Sequence, residues 1–228
     1  MLGLIKICGL STPETLEATL EAGVDMVGFV FFDKSPRHIS FDIAERLGAQ
    51  VQGRALKVAL SVNASDEALT QIIARLDPDW LQLHGAETPE RVRHLKQKFG
   101  LPVMKAVGIA SVEDLNAAPR FQGVADRLLF DAKPPKGAQL PGGNGLAFDW
   151  TLLKNSADKT NTMVSGGLDV HNVQSAISIS GIFGVDVSSG VESVPGVKDI
   201  SKIQAFVRQA RQGFASSAGV SKMQGLQP

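Results

Sequence analysis

A single cysteine, Cys8, leaves the chain no partner for an internal disulfide, so nothing in its cysteine usage argues for an oxidising compartment. Charge of one sign is not in excess either: 23 Lys and Arg balance 23 Asp and Glu. With no basic stripe interleaved with aromatics, nucleic acid is not an expected partner. No apolar run approaches the ~20 residues of a membrane span. The N-terminus lacks the charged segment, long apolar core and small-residue cleavage site of a signal peptide. The first strand is not followed by a Gly-rich dinucleotide fingerprint, since Cys8-Gly9-Leu10-Ser11 does not have its spacing. No internal linker and no second composition regime divides the chain. The expectation is one soluble, cytoplasmic domain with neither membrane nor nucleic acid as partner.

What is present is a strand followed by a helix, repeated. Apolar, β-branched runs lie at Leu4 to Cys8, Met26 to Phe31, Leu56 to Val62, Trp80 to His84, Val103 to Val107, Arg127 to Phe130, Thr162 to Ser165 and Ile182 to Val187. Between them come helical stripes such as Leu69, Ile72, Ile73 and Leu76, and starts such as Thr12-Pro13 and Thr88-Pro89. Eight such units of roughly 20–30 residues are the number that closes a parallel (β/α)8 TIM barrel. An open doubly wound sheet is the rival, and the missing fingerprint counts against it. The barrel is expected over residues 1–212. The Ser-, Gly- and Gln-rich stretch 213–228 has little periodicity and reads as a disordered tail.

In such a barrel chemistry gathers at the C-terminal ends of the strands. Strand side chains alternate, so Lys6 and Cys8 share one face, Gln82 and His84 another, while Asp131 opposes Leu128 and Phe130, and Asp186 and Ser188 oppose Val185 and Val187. A lone cysteine is commonly just a small core hydrophobe, and any one polar strand end can be a solvated rim residue. Four strands that agree point to a polar cleft. Ser165-Gly166-Gly167 and Ser188-Ser189-Gly190 follow the two strands after which barrels often bind phosphate, although a Gly pair by itself is only a turn. Arg37, otherwise a surface arginine, lies across the mouth where it can take a carboxylate bidentately.

Several segments are more specific. Lys6-Ile7-Cys8-Gly9, Gly28-Phe29-Val30-Phe31 with Ser35-Pro36-Arg37, and Leu81-Gln82-Leu83-His84-Gly85 resemble phosphoribosylanthranilate isomerases. So do Phe130-Asp131, Gly142-Gly143-Asn144-Gly145 before Phe148-Asp149-Trp150, Gly166-Gly167-Leu168, and Gly184-Val185-Asp186-Val187-Ser188-Ser189-Gly190-Val191-Glu192. The segments run in order from Leu4 to the last helix. Ser11, where threonine is common, and Asn144, where Ser or Thr is common, are small departures.

The resemblance implies an intramolecular oxidoreductase of tryptophan biosynthesis. Its reaction is the Amadori rearrangement of N-(5′-phosphoribosyl)anthranilate to 1-(2-carboxyphenylamino)-1-deoxyribulose 5-phosphate. At matching positions Cys8 becomes the general base and Asp131 the general acid. Arg37 would hold the anthranilate carboxylate, Gly166, Gly167, Ser188 and Ser189 the phosphate, with His84 and Asp186 lining the site. Ring opening needs Asp131 protonated when substrate arrives, and a nearby charged Lys6 would favour the Cys8 thiolate. No metal and no organic cofactor is implied; the only partner expected is the small-molecule substrate, taken up by a monomer. The long loop Ala132 to Ala147 is expected to fold over it. Two rivals stand beside this: a histidine-pathway aminoaldose isomerase, whose chemistry commonly uses two carboxylates, and a non-catalytic phosphosugar-binding barrel.

Overall fold

The computed structural model describes residues 3–134, 137, 140, 142, 143, 145, 147–155 and 159–224, with side chains to residue 217. Eight parallel strands close a barrel in sequence order: β1 Leu4–Cys8, β2 Met26–Phe31, β3 Leu56–Ser61, β4 Trp80–Leu83, β5 Val103–Ile109, β6 Arg127–Ala132, β7 Thr162–Val164 and β8 Gly184–Val187. β1 pairs with β8 through four residue pairs, Lys6 opposite Asp186 among them, and this pairing shuts the cylinder.

The helices begin where the sequence supplies a cap. Thr12, Ser40, Ser65, Thr88 and Ser111 accept a backbone N–H at the starts of α1 Pro13–Glu21, α2 Phe41–Val51, α3 Asp66–Leu76, α4 Pro89–Phe99 and α5 Val112–Ala117. The apolar run from Val170 to Ile179 predicts a helix, and α6 spans Val173–Ser180, starting three residues later. Asp169 and Asn172 bond each other's backbone and hold the preceding residues in a turn. Between β6 and β7 the described residues include a 3₁₀ helix, Trp150–Asn155.

Alternation along the strands sorts the side chains into two populations. Ile5, Ile7, Val27, Phe29, Leu81, Leu83, Val185 and Val187 point outward and pack under the helices. Met26, Val58, Met104, Ala106, Leu129 and Met163 fill the interior towards the strand starts, with Cys8, Val30 and Leu60 nearer the strand ends. The polar faces of β1, β4, β6 and β8 therefore do turn to the barrel axis.

Two features depart from the sequence reading. After β8 the chain makes a short 3₁₀ turn and an antiparallel hairpin, β9 Glu192–Val194 and β10 Val197–Lys198, which no periodic signal marks. The last helix, α7 Ile200–Gln224, does not stop at Gln212. Phe214, placed in the expected tail, is buried, stacks on Phe183 with ring centroids 6.5 Å apart, and lies against Gly3, where any Cβ would strike its ring. One buried aromatic carries the helix past the boundary at 212; residues 225–228 lie outside the described residues.

Truncating that ring tests the revised boundary. Phe214→Ala is expected to cost about 3 kcal/mol, the usual scale for emptying a buried phenylalanine site, read as a lower urea midpoint; an unchanged midpoint returns residues 213–217 to a dispensable tail.

Candidate active site

The strand ends open into a cleft of mixed polar and apolar lining at the C-terminal pole of the barrel. The residues to which the family resemblance gives a site role all line it: Cys8, Arg37, His84, Asp131, Gly166, Gly167, Asp186, Ser188 and Ser189. They come from β1, β4, β6 and β8 and the loops after β2, β7 and β8.

On one side lies a buried charged cluster. Lys6 Nζ donates to Asp186 Oδ1 at 2.7 Å, with the lysine side chain wholly shielded from solvent. Ser165 Oγ donates to the other oxygen, Oδ2, at 3.3 Å. Gly28 makes room for this cluster: a Cβ there would sit 2.8 Å from Cys8 Sγ and 3.1 Å from Lys6 Nζ. Burial alone would lower the lysine's pKa, yet the Asp186 carboxylate and the Cys8 sulfur raise it, so Lys6 is a charged ammonium. At Cys8 the expected pull of Lys6 towards thiolate is present, but burial is the larger influence and, with the Asp186 charge, pushes the thiol up. The resting group is a thiol.

On the opposite side a chain of side chains runs from β4 to β6. Gln82 Nε2 lies 3.1 Å from His84 Nδ1, and His84 Nε2 lies 3.0 Å from Asp131 Oδ2. The Ala132 N–H donates to Asp131 Oδ1 at 3.0 Å. Gln82 Oε1 is buried and has no hydrogen-bond partner among the described residues. Gly142 of the long loop packs so closely on Asp131 and His84 that a side chain there would collide with both. Residues 135, 136, 138, 139, 141, 144 and 146 of that loop, Asn144 of the glycine-rich motif included, lie outside the described residues.

The two Gly and Ser loops form a third wall. Gly166 and Gly167 take φ of +79° and +62°, a region that L side chains rarely adopt. Asn172 Nδ2 donates to the Gly167 carbonyl at 2.8 Å and fixes that turn. A Cβ on Gly190 would run into the Leu168 carbonyl, so the loops after β7 and β8 are pressed together.

Arg37 spans the mouth, but its guanidinium is not free in the way the sequence suggests. Nε donates to Glu192 Oε1 at 2.7 Å and Nη2 to Glu192 Oε2 at 2.9 Å, a bidentate pair closed within the protein. Lys198 Nζ adds a bond to Glu192 Oε1 at 2.7 Å. Glu192 and Lys198 are the functional-site neighbours that sequence reading missed. Glu192 ends a motif noted above without a role, and Lys198 has no local pattern at all.

A family model described as N-(5′-phosphoribosyl)anthranilate (PRA) isomerase matches residues 5–209. The chain belongs to the phosphoribosylanthranilate isomerase family. It is 58% identical over 213 residues to the N-(5′-phosphoribosyl)anthranilate isomerase of Nitrobacter winogradskyi, covering 93% of this chain and 95% of that one. It is 56% identical over 214 residues to the enzyme of Beijerinckia indica, covering 94% and 96%. Among solved structures, the Thermotoga maritima isomerase superposes with a TM-score of 0.83 at 35% identity, covering 93% of this chain and all of that one. Another isomerase, in complex with reduced 1-(o-carboxyphenylamino)-1-deoxyribulose 5-phosphate, gives 0.80 at 33%, with the same coverage. The isomerase family thus replaces both rival readings, the histidine-pathway enzyme and the non-catalytic barrel.

The raised thiol pKa has a direct readout, because this isomerase has one cysteine to label. Burial disfavours the thiolate, so the protonated form persists to higher pH and the alkylation curve moves to the alkaline side. Iodoacetamide labelling of native protein is expected to titrate above the value measured for the same chain in urea; a native curve at or below the unfolded one would mean that Lys6 dominates after all.

Proposed function

We propose that Cys8 and Asp131 are the base and acid of the reaction this chain catalyses, the conversion of N-(5′-phosphoribosyl)anthranilate to 1-(2-carboxyphenylamino)-1-deoxyribulose 5-phosphate in tryptophan biosynthesis. The observation that carries the assignment is that the only thiol and the β6 carboxyl line one cleft from β1 and β6, each more than nine-tenths buried. A base and an acid that approach the sugar from separate strands can serve its C2′ proton and its ring oxygen in turn.

The steps follow from the side chains. Asp131 delivers a proton to the furanose oxygen and the C1′–O bond breaks, leaving the open-chain Schiff base. Cys8, as thiolate, removes the C2′ proton, and the electron pair moves towards the nitrogen to give an enolamine. The enolamine then gains a proton at C1′ and loses the proton of its C2′ hydroxyl, which yields the ketone. The charged Lys6 stabilises the thiolate once it forms, which offsets part of the burial that opposes it.

Gln82 gives Asp131 a means of holding its proton. With the Gln82 amide donating to Nδ1, neutral His84 carries its proton on Nε2 and donates it to an Asp131 carboxylate. Turning the amide over brings Oε1, otherwise unpartnered, onto an Nδ1–H. Nε2 then accepts from a protonated Asp131, the state that ring opening requires.

Arg37 takes the anthranilate carboxylate in this reading, through Nη1 rather than through the whole fork. Gly166, Gly167, Ser188 and Ser189 take the phosphate, with backbone N–H groups exposed at glycine turns. Asp186 holds Lys6 beside the thiol. Of the loop expected to cover the substrate, the described Gly142 and Gly143 lie at the rim of the site, Gly142 on Asp131 and Gly143 on Arg37. The same reading takes the protein as a cytoplasmic monomer. Among the described residues no helix is long and apolar enough to cross a membrane. Exposed large apolar side chains are scattered over separate elements apart from Val194, Val197 and Ile200. Light scattering on a sizing column checks the mass against 24.2 kDa.

Turnover of N-(5′-phosphoribosyl)anthranilate, followed by its anthranilate fluorescence, tests the acid–base pair. Cys8→Ala and Asp131→Asn are each expected to lower kcat by about 10²–10⁴-fold with an unchanged circular dichroism spectrum. If only Asp131→Asn fails, Cys8 is a packing residue and the base lies elsewhere.

A further inference from the structure

The Arg37 fork is occupied by Glu192, yet the same arginine is, among the described residues, the one Lys or Arg that lines the cleft. The β9–β10 hairpin resolves this. Glu192 is buried and receives Nε and Nη2 of Arg37 together with Nζ of Lys198. Gly196 closes the hairpin with φ of +86° and donates its own N–H to Glu192 Oε2 at 3.1 Å. Burial alone would raise the Glu192 pKa, but Arg37 and Lys198 hold it below the ordinary value, so it is ionised. Burial draws the Lys198 pKa down while the Glu192 carboxylate pulls it up; by formal charge, one carboxylate faces two cations and the triad sums to +1.

The guanidinium is also fixed in direction. With Nε and Nη2 tied, Nη1 is the corner left over: it donates to no acceptor among the described residues and faces Gly143, whose Cβ would sit 2.7 Å away. Lys198 extends the network to the other side of the cleft. It donates to the Ser188 carbonyl at 2.9 Å and lies 3.1 Å from Ser188 Oγ, which in turn donates to the Cys8 carbonyl at 2.9 Å.

We infer that Glu192 and Lys198 are positioning residues for carboxylate recognition. Glu192 aims the free corner of Arg37 into the cleft, and Lys198 restores the positive charge that Glu192 would otherwise cancel. This rests on the reading of Arg37 given under Proposed function. A neutral Arg–Glu pair would offer an entering carboxylate little attraction. An untethered arginine would spend rotamer entropy on each binding event. The triad avoids both, at the cost of leaving only one guanidinium nitrogen fully available.

The test is a ratio of dissociation constants, measured by calorimetry for two ligands. One is reduced 1-(o-carboxyphenylamino)-1-deoxyribulose 5-phosphate, and the other is its phenylamino counterpart without the carboxylate. Effects on the phosphate loop or on overall fold act on both ligands and cancel in the ratio. Glu192→Gln is expected to lower the preference for the carboxylated ligand about tenfold, the scale of one charge-assisted hydrogen bond, and Lys198→Met to lower it in the same direction. Arg37→Ala serves as the reference. If Arg37→Ala abolishes the preference while Glu192→Gln leaves or strengthens it, Glu192 merely competes for the fork and the inference is overturned. If Arg37→Ala itself leaves the preference intact, the carboxylate is held elsewhere and the parent reading of Arg37 falls. Should Glu192→Gln not fold, the Lys198→Met ratio decides alone: a preference equal to that of the unaltered protein overturns the charge argument.

Discussion

The ion pair between Lys6 and Asp186 is the interaction on which the remainder depends. It joins the first and last strands of the barrel in register, inside the cylinder, with Lys6 wholly shielded and Asp186 almost so at the floor of the cleft. Two charges buried together are tolerated only when each satisfies the other, and removal of one partner from such a pair typically costs about 3–5 kcal/mol. The seam is therefore specified by charge as well as by backbone pairing. A register slip would put Lys6 on the outer, aliphatic side and leave Asp186 unpaired. The same two groups then set the field around the only thiol. The element that closes the barrel and the element that conditions the thiol are one.

Much of this was legible because strand alternation is a local signal with a period of two. Cys8, His84, Asp131 and Asp186 each announce themselves as polar on a strand whose other face is aliphatic, and the barrel brings those faces to one axis. Helix starts were legible for a similar reason: Thr12 before Pro13 and Thr88 before Pro89 are local chemistry. Glycine pairs after β7 and β8 likewise marked a wall of the cleft, although not that Gly190 presses on Leu168.

What the sequence hid is contact between distant residues. Arg37 and Glu192 lie 155 positions apart, and no composition or periodicity announces that a surface-seeming arginine will spend its fork on a hairpin glutamate. Cys8 shows the same limit in energetic form. Lys6 beside it argued for thiolate, but the balance is decided by burial, which depends on how Gly28, Val30 and Leu60 close around the sulfur. Phe214 was misplaced because its neighbours in sequence are Gly, Ala and Ser, while its neighbours in space are Gly3 and Phe183.

That last contact has an architectural corollary. Arg211 on the same helix donates to the carbonyls of Gly3 and Gly23, so α7 is bolted to the entry of β1. In a barrel the strand starts and the strand ends are opposite poles, and the cleft occupies the pole of the strand ends. The first strand and the final helix are thus anchored together at the far pole. Cargo attached through either of them, whether a second enzyme, a purification handle or a solid support, would hang from the underside and leave the route to the thiol and the carboxyl clear.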